Sequence, residues 1–206
     1  RSNVVGGYDE LAGGTWLALN DDGVVSVVLN RVNSLGPSVG KRSRGELPLD
    51  AVDHAEAKVA AEELSMIDPE SYRSFNLIIA DSKDAFWLKS LGEVGGKVHV
   101  KEIPEGVSMI TSSDLNDVSA LRIIDKLPKF KLADRPRPEE DNWLAWQTLL
   151  AEREGTLSAQ NGTSLNLDND NGFGTVSSSL IALPKVELAG TKPKWLFSTG
   201  RPDDTS

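Results

Sequence analysis

The stretch LAGGTWLALNDDGVVSVVLNR, residues 11–31, decides the fold. Thr15–Asn20 (TWLALN) and Val24–Leu29 (VVSVVL) read as two strands. Asp21-Asp22-Gly23 supplies the turn between them, where Gly23 takes a positive φ without a steric penalty. The β-branched run Val24-Val25-Ser26-Val27-Val28 is too apolar for an exposed strand and belongs inside a sheet. Gly13 and Gly14 read as a tight turn that lets Trp16 pack.

The same alternation of strand and turn continues outward. Phe75–Ala80 (FNLIIA) and Ala85–Ser90 (AFWLKS) form a second hairpin around Asp81–Asp84. Lys97–Ile103 alternates as a half-exposed strand, and Val107–Thr111 reads as a further short one. Gly174–Leu183 and Lys194–Ser198 close the chain as strands. Apolar spacing predicts helices over Leu49–Ile67, Val118–Phe130 and Pro138–Glu154. Asn161–Gly174 is Asn/Asp/Gly-rich and reads as a loop, and Arg201–Ser206 as a frayed tail. Strands that arrive in hairpins rather than as βαβ units give an α+β fold with a mostly antiparallel sheet, as one domain over residues 1–206.

The 206 residues suffice for a real core, and 39% hydrophobic with 26% charged content is that of a globular protein. A net charge of −9 argues against nucleic acid as a partner. No apolar run approaches the roughly 20 residues of a membrane span. With no cysteine and only His54 and His99, the chain holds no thiolate chemistry and no histidine-based metal site. A reducing, cytoplasmic setting and no cofactor are the expectations. The chain opens at Arg1 without methionine, which reads as an N-terminally truncated or processed domain.

Several local motifs have plain structural readings. Gly6-Gly7 and Gly13-Gly14 are not followed by the Lys-Ser/Thr and helix that a phosphate loop needs. Asp168–Gly172 (DNDNG) lacks the terminal Glu of a calcium loop. The hydroxyls of Thr175, Ser177 and Ser179 share one strand face with no adjacent base. Lys41, Arg42 and Arg44 stand out in an acidic protein, within a long loop from Val32 to Leu49. They read either as a solvated loop or as a clamp for a carboxylate or phosphate on a small ligand.

The blocks GGYDELAGGTWLALNDDGVVSVVLNR, SRGELPLD, FNLIIAD and FGTVSSSLIAL, taken in order, resemble the NRDE family. That family includes the transport and Golgi organisation protein 2 homologues. The resemblance implies an N-terminal-nucleophile (Ntn) hydrolase-like αββα sandwich that here lacks its N-terminal strand. An open edge of that kind pairs with other strands, so a homo-oligomer is among the expectations.

Related acylases use an N-terminal cysteine as nucleophile, and the NRDE motif with its preceding cysteine is not in this sequence. By the resemblance, Asn30 holds an oxyanion or substrate position. Ser112 stands where the family commonly has a second Asn, and Ser43, Arg44 and Gly45 match the Ser-Arg-Gly block. Trp16, Arg31, Arg42, Ser43 and Arg44 are the expected ligand-binding residues. Two functions follow from the resemblance. One is the handling of a small amphipathic ligand, with haem or acyl-lipid trafficking attributed to members of the family. The other is hydrolysis of a non-peptide amide bond through a cysteine outside this chain. A non-catalytic interaction module, docking through the Val32–Leu49 loop, is a third reading.

Overall fold

The computed structural model describes residues 2–10, 13–153, 163–167, 174–188 and 190–203. Two compact units emerge, the first from Arg1–Glu105, Thr111–Leu115 and Leu183–Lys192. The second comprises Gly106–Ile110, Asn116–Ala182 and Pro193–Ser206. Both carry antiparallel strand pairs with helices, so the fold class is α+β.

In the first unit six strands lie side by side in chain order: β1 (Val4–Gly6), β2 (Leu17–Asn20), β3 (Val25–Asn30), β4 (Phe75–Ala80), β5 (Ala85–Ser90) and β6 (His99–Glu102). Both predicted hairpins are present, with Leu17 opposite Val27 and Leu77 opposite Leu88. Gly23 takes its turn at φ 86°. The Val-rich strand lies between β2 and β4, as its composition predicts. Two features differ from the sequence reading. β1 has no counterpart in the sequence pattern, because three residues are too few to show a period. β6 is shorter than the predicted Lys97–Ile103 strand and exposed along its length at the sheet edge, while Val98, just before it, is buried in the core.

Side chains alternate across this sheet. Phe75, Leu77 and Ile79 of β4, Ala18 of β2 and Leu88 of β5 face α1 (Glu46–Ala51) and α2 (Ala57–Leu64). Leu47, Ala51, Ala57, Ala60, Ala61 and Leu64 complete that core. Small alanines let α2 approach the sheet closely. Each fully buried Leu, Ile or Phe here contributes about 1.5–3 kcal/mol.

The single helix expected over Leu49–Ile67 is in fact two. Its apolar spacing runs unbroken, but distant groups compete for the backbone at the joint. Asn20 Nδ2, from the end of β2, donates to Val52 O at 2.9 Å and to His54 O at 2.8 Å. Asp81 Oδ2 accepts from Ala57 N at 2.8 Å, so the turn after β4 provides the start of α2.

The second unit contains α3 (Leu121–Leu132), α4 (Leu144–Ala151) and a hairpin of β7 (Ser177–Ala182) and β8 (Lys194–Thr199). The helix predicted from Pro138 shrinks to α4. Arg137 and Asn142 exchange both backbone hydrogen bonds, at 2.8 and 3.1 Å, and Asp141 is left-handed at φ 55°, which closes a turn where the helix was expected. Val107–Thr111 is not a strand. Both backbone groups of Met109 are taken by Asn116, through its amide and its Oδ1, each at 2.8 Å.

Buried Lys126 lies 2.6 Å from Glu152 Oε2 and 3.0 Å from Asp125 Oδ2. Asp203, in the expected frayed tail, accepts from Asn166 Nδ2 at 2.6 Å and pairs with Arg153. Of the expected Asn161–Gly174 loop, Asn161, Gly162 and Asp168–Phe173 lie outside the described residues, as do Leu11 and Ala12 of the opening stretch.

Candidate functional site

The chain crosses itself at Gly14 and Gly45. Thr15 N donates to Gly45 O at 2.9 Å. A Cβ on Gly14 would fall 2.7 Å from the Gly45 carbonyl carbon and oxygen, closer than any side chain fits. Buried Thr15 fixes the corner by donating its Oγ1 to Leu17 O at 2.7 Å. The Gly-Gly-Thr-Trp and Ser-Arg-Gly blocks, far apart in sequence, thus become one wall. Trp16 emerges from that corner with its indole laid on Gly7, where a Cβ would overlap the ring at 2.3 Å. Trp16 as a whole stays 40% exposed.

Beside this wall the first unit has a cleft of about 670 Å³, a size suited to a small ligand. Val28 and Asn30 line it from β3, two residues apart and therefore on one face. Trp16, Ser43 and Arg44 line it from the wall, and Gly36, Pro37 and Ser38 from the loop after β3. Of the residues expected at a site, Trp16, Asn30, Arg42, Ser43 and Arg44 share this cleft. Arg31 and Ser112 are not among its lining residues.

Arg31 is committed elsewhere. Its guanidinium donates to Asn76 Oδ1 at 2.6 Å and to Asp114 Oδ1 at 2.7 Å. Asn76 alternates with Phe75 and Leu77 and so projects from the sheet face opposite the helices. Its Oδ1 also accepts from Trp87 Nε1 at 3.1 Å, while Nδ2 donates to Thr111 O and Ser113 O at 2.9 and 2.8 Å. Ser112 sits exposed in the segment thus tied down, its carbonyl accepting from Val32 N at 3.2 Å. Lys89 Nζ adds a 2.8 Å bond to Asp114 Oδ2. Burial alone would raise the Asp114 carboxyl, but bonds from Lys89 and Arg31 and their charges outweigh it and hold it below its ordinary value.

The cleft itself is cationic. Lys41, Arg42, Arg44 and Arg73 line it against one carboxylate, Asp9, in a chain whose net charge is −9. Arg42 pairs with Glu46 and lies over the Tyr72 ring, 5.2 Å from its centroid; the Glu46 bond raises its pKa. Arg44 donates to Ser34 Oγ at 2.9 Å and Ser74 O at 3.0 Å. Burial, and then the charge of Arg73, lower its pKa. Arg73 donates to Leu35 O at 2.7 Å and Asn33 O at 2.9 Å. Arg73 escaped the sequence reading because the lone Arg in YRSF shows no pattern until β4 brings it beside the loop.

Cations beside an apolar indole and Val28 suit a molecule with an anionic group and an apolar body. The model of the Transport and Golgi organisation 2 family matches residues 1–136, which contain both blocks of the wall and every lining residue of the cleft. A search of curated proteins finds no match to the chain.

Proposed function

The chain belongs to the Transport and Golgi organisation 2 family, and we propose that its cleft holds a small amphipathic ligand without transforming it. The observation that carries this reading is the company of four cations with Trp16 and Val28 around one 670 Å³ space. The apolar body lies along the indole and Val28, and the anionic group meets the Arg42–Arg44 side. Acyl lipids and haem, whose handling is attributed to members of the family, both have an apolar body and carboxylate or phosphate groups.

The test is a titration of the protein with decanoate and with haem, followed by tryptophan fluorescence and calorimetry. Trp16→Phe should remove the fluorescence change at Trp16, and Arg42→Gln should weaken binding several-fold. Absence of binding, or binding indifferent to both substitutions, would overturn the reading.

A second reading is favoured by one observation, the presence of Asn30 in the cleft lining. A protein of this family with a cysteine at its mature N-terminus would hydrolyse a non-peptide amide bond. Asn30 would then donate to the tetrahedral oxyanion. In such a protein Asn30→Ala should lower turnover on the order of 100-fold with the fold intact. An unchanged rate removes Asn30 from that mechanism.

A further inference from the structure

Arg44 and Arg73 are neighbours that share an acceptor. Arg44 Nη2 and Arg73 Nη1 reach the Gly36 carbonyl oxygen at 3.3 and 3.4 Å. Their other partners are Ser34 Oγ and the carbonyls of Asn33, Leu35, Pro37 and Ser74. All these acceptors are neutral, and several bonds are long. A carboxylate or phosphate adds its own negative charge and a bidentate, forked geometry to a guanidinium's hydrogen bonds, which single neutral carbonyls do not offer.

Buried Ser34 anchors the start of the loop by donating to Arg31 O at 2.8 Å and Ser74 O at 3.0 Å, and the tip beyond it stands out from the body of the unit. Leu35 is 68% exposed and Val39 fully so, and Gly36, Pro37 and Ser38 form a rim of the cleft.

Resting on the reading of the cleft as a ligand site, we propose that Arg44 and Arg73 together seat the ligand's oxyanion. The anion takes over donors that otherwise hold the Asn33–Pro37 loop, so that binding releases this loop. The exchange is one of hydrogen-bond partners only. A carboxylate or a phosphate can drive it, since both offer paired oxygens to a fork. Arg42, engaged by Glu46 and stacked over Tyr72, contributes charge but not the seat.

The chain has no cysteine, so Leu35→Cys, an exposed position inside the loop, accepts a single spin label there. The labelled full chain is titrated with inorganic phosphate, hexyl phosphate and hexanoate, with calorimetry for affinity and the spectrum for loop mobility. Binding should sharpen the label's spectrum, and Arg73→Gln should give the sharpened spectrum without ligand. Arg73→Gln should also bind about tenfold or more weakly. The tighter of the two hexyl compounds identifies the head group as phosphate or carboxylate. Where Arg73→Gln does not fold, Arg73→Lys, which keeps the charge without the fork, replaces it and should still bind more weakly.

Anion binding with an unchanged spectrum overturns the coupling, and equal affinity in the Arg73 variant overturns the seat. Decanoate binding that depends on Trp16 but not on Arg73 overturns this proposal and leaves the ligand-holding function standing. Loss of decanoate binding in the unsubstituted protein overturns that function itself.

Discussion

Gly14 and Gly45 meet backbone to backbone, and the amide of Thr15 seals the contact on the Gly45 carbonyl at 2.9 Å. One wall of the cleft is therefore a crossing of two chain segments, and its shape depends on the absence of two side chains.

Gly14→Ala tests that crossing. The added methyl would lie 2.7 Å from the Gly45 carbonyl, on a backbone at φ 152° that L residues rarely adopt. Overpacking of this kind costs about 1–3 kcal/mol, with backbone strain adding a comparable amount. Urea unfolding should show the loss, and decanoate affinity should fall with it because Trp16 and Arg44 move apart. A variant of unchanged stability and affinity would show that the wall yields.

Asn76→Ala should be costly for a side chain of its size. Asn76 is fully buried with four hydrogen bonds, and its removal strands Trp87 Nε1 and the carbonyls of Thr111 and Ser113. Leaving buried polar groups unpaired costs about 1–3 kcal/mol each before relaxation. Denaturant unfolding measures the total. Hydrogen exchange should show Thr111–Leu115 losing protection first; uniform change across the unit would contradict that local role.

Asp114 sets a pH dependence of known sign. Its folded pKa lies below the ordinary 3.8, so the unfolded chain binds its proton first as pH falls. The stability it contributes is complete well above 3.8 and is lost as pH descends through that value and the lower folded one. The carboxylate is 42% exposed, and solvent screening keeps the effect modest. Asp114→Asn should flatten the acid limb of a stability–pH curve. Parallel curves for the two proteins would rule out the Arg31–Asp114–Lys89 network as its source.

Much of the first unit was legible because its signals are local. The turn at Asp21–Gly23 and the two hairpins are written in adjacent residues, and Trp16, Asn30 and Arg44 were placed by blocks that meet in the cleft. What was not legible depends on partners distant in sequence. Asn20 and Asp81 break the helix between Val52 and Glu56 by capturing backbone groups that apolar spacing cannot report. Asn76 holds Arg31 away from the cleft for the same reason: an uncharged strand residue gives no hint that it will bond a cation.

Lys126→Met probes the second unit. The ammonium is fully buried against Glu152 and Asp125, and removing one member of a buried ion pair costs about 3–5 kcal/mol because the other stays charged. Thermal unfolding of the variant should show that loss. Glu152 keeps Lys129 Nζ at 2.7 Å, whereas Lys129 lies farther from buried Asp125, at 3.8 Å, so Asp125→Asn added to Lys126→Met should recover stability. A double variant no better than the single one would show that Asp125 is not the stranded charge.

The six strands of the first unit follow one another in chain order, and this shapes how the unit assembles. Four of its five ladders close over short connections and can form early and independently. The exception joins Val25–Asn30 to Phe75–Ala80 across the long segment that carries both helices. That ladder bears the largest closure entropy in the six-stranded sheet, and its pairing should be the slow event. Weakening Val28 against Leu77 should therefore slow refolding, whereas weakening Val5 at the sheet's edge should chiefly hasten unfolding, and a chevron plot separates the two.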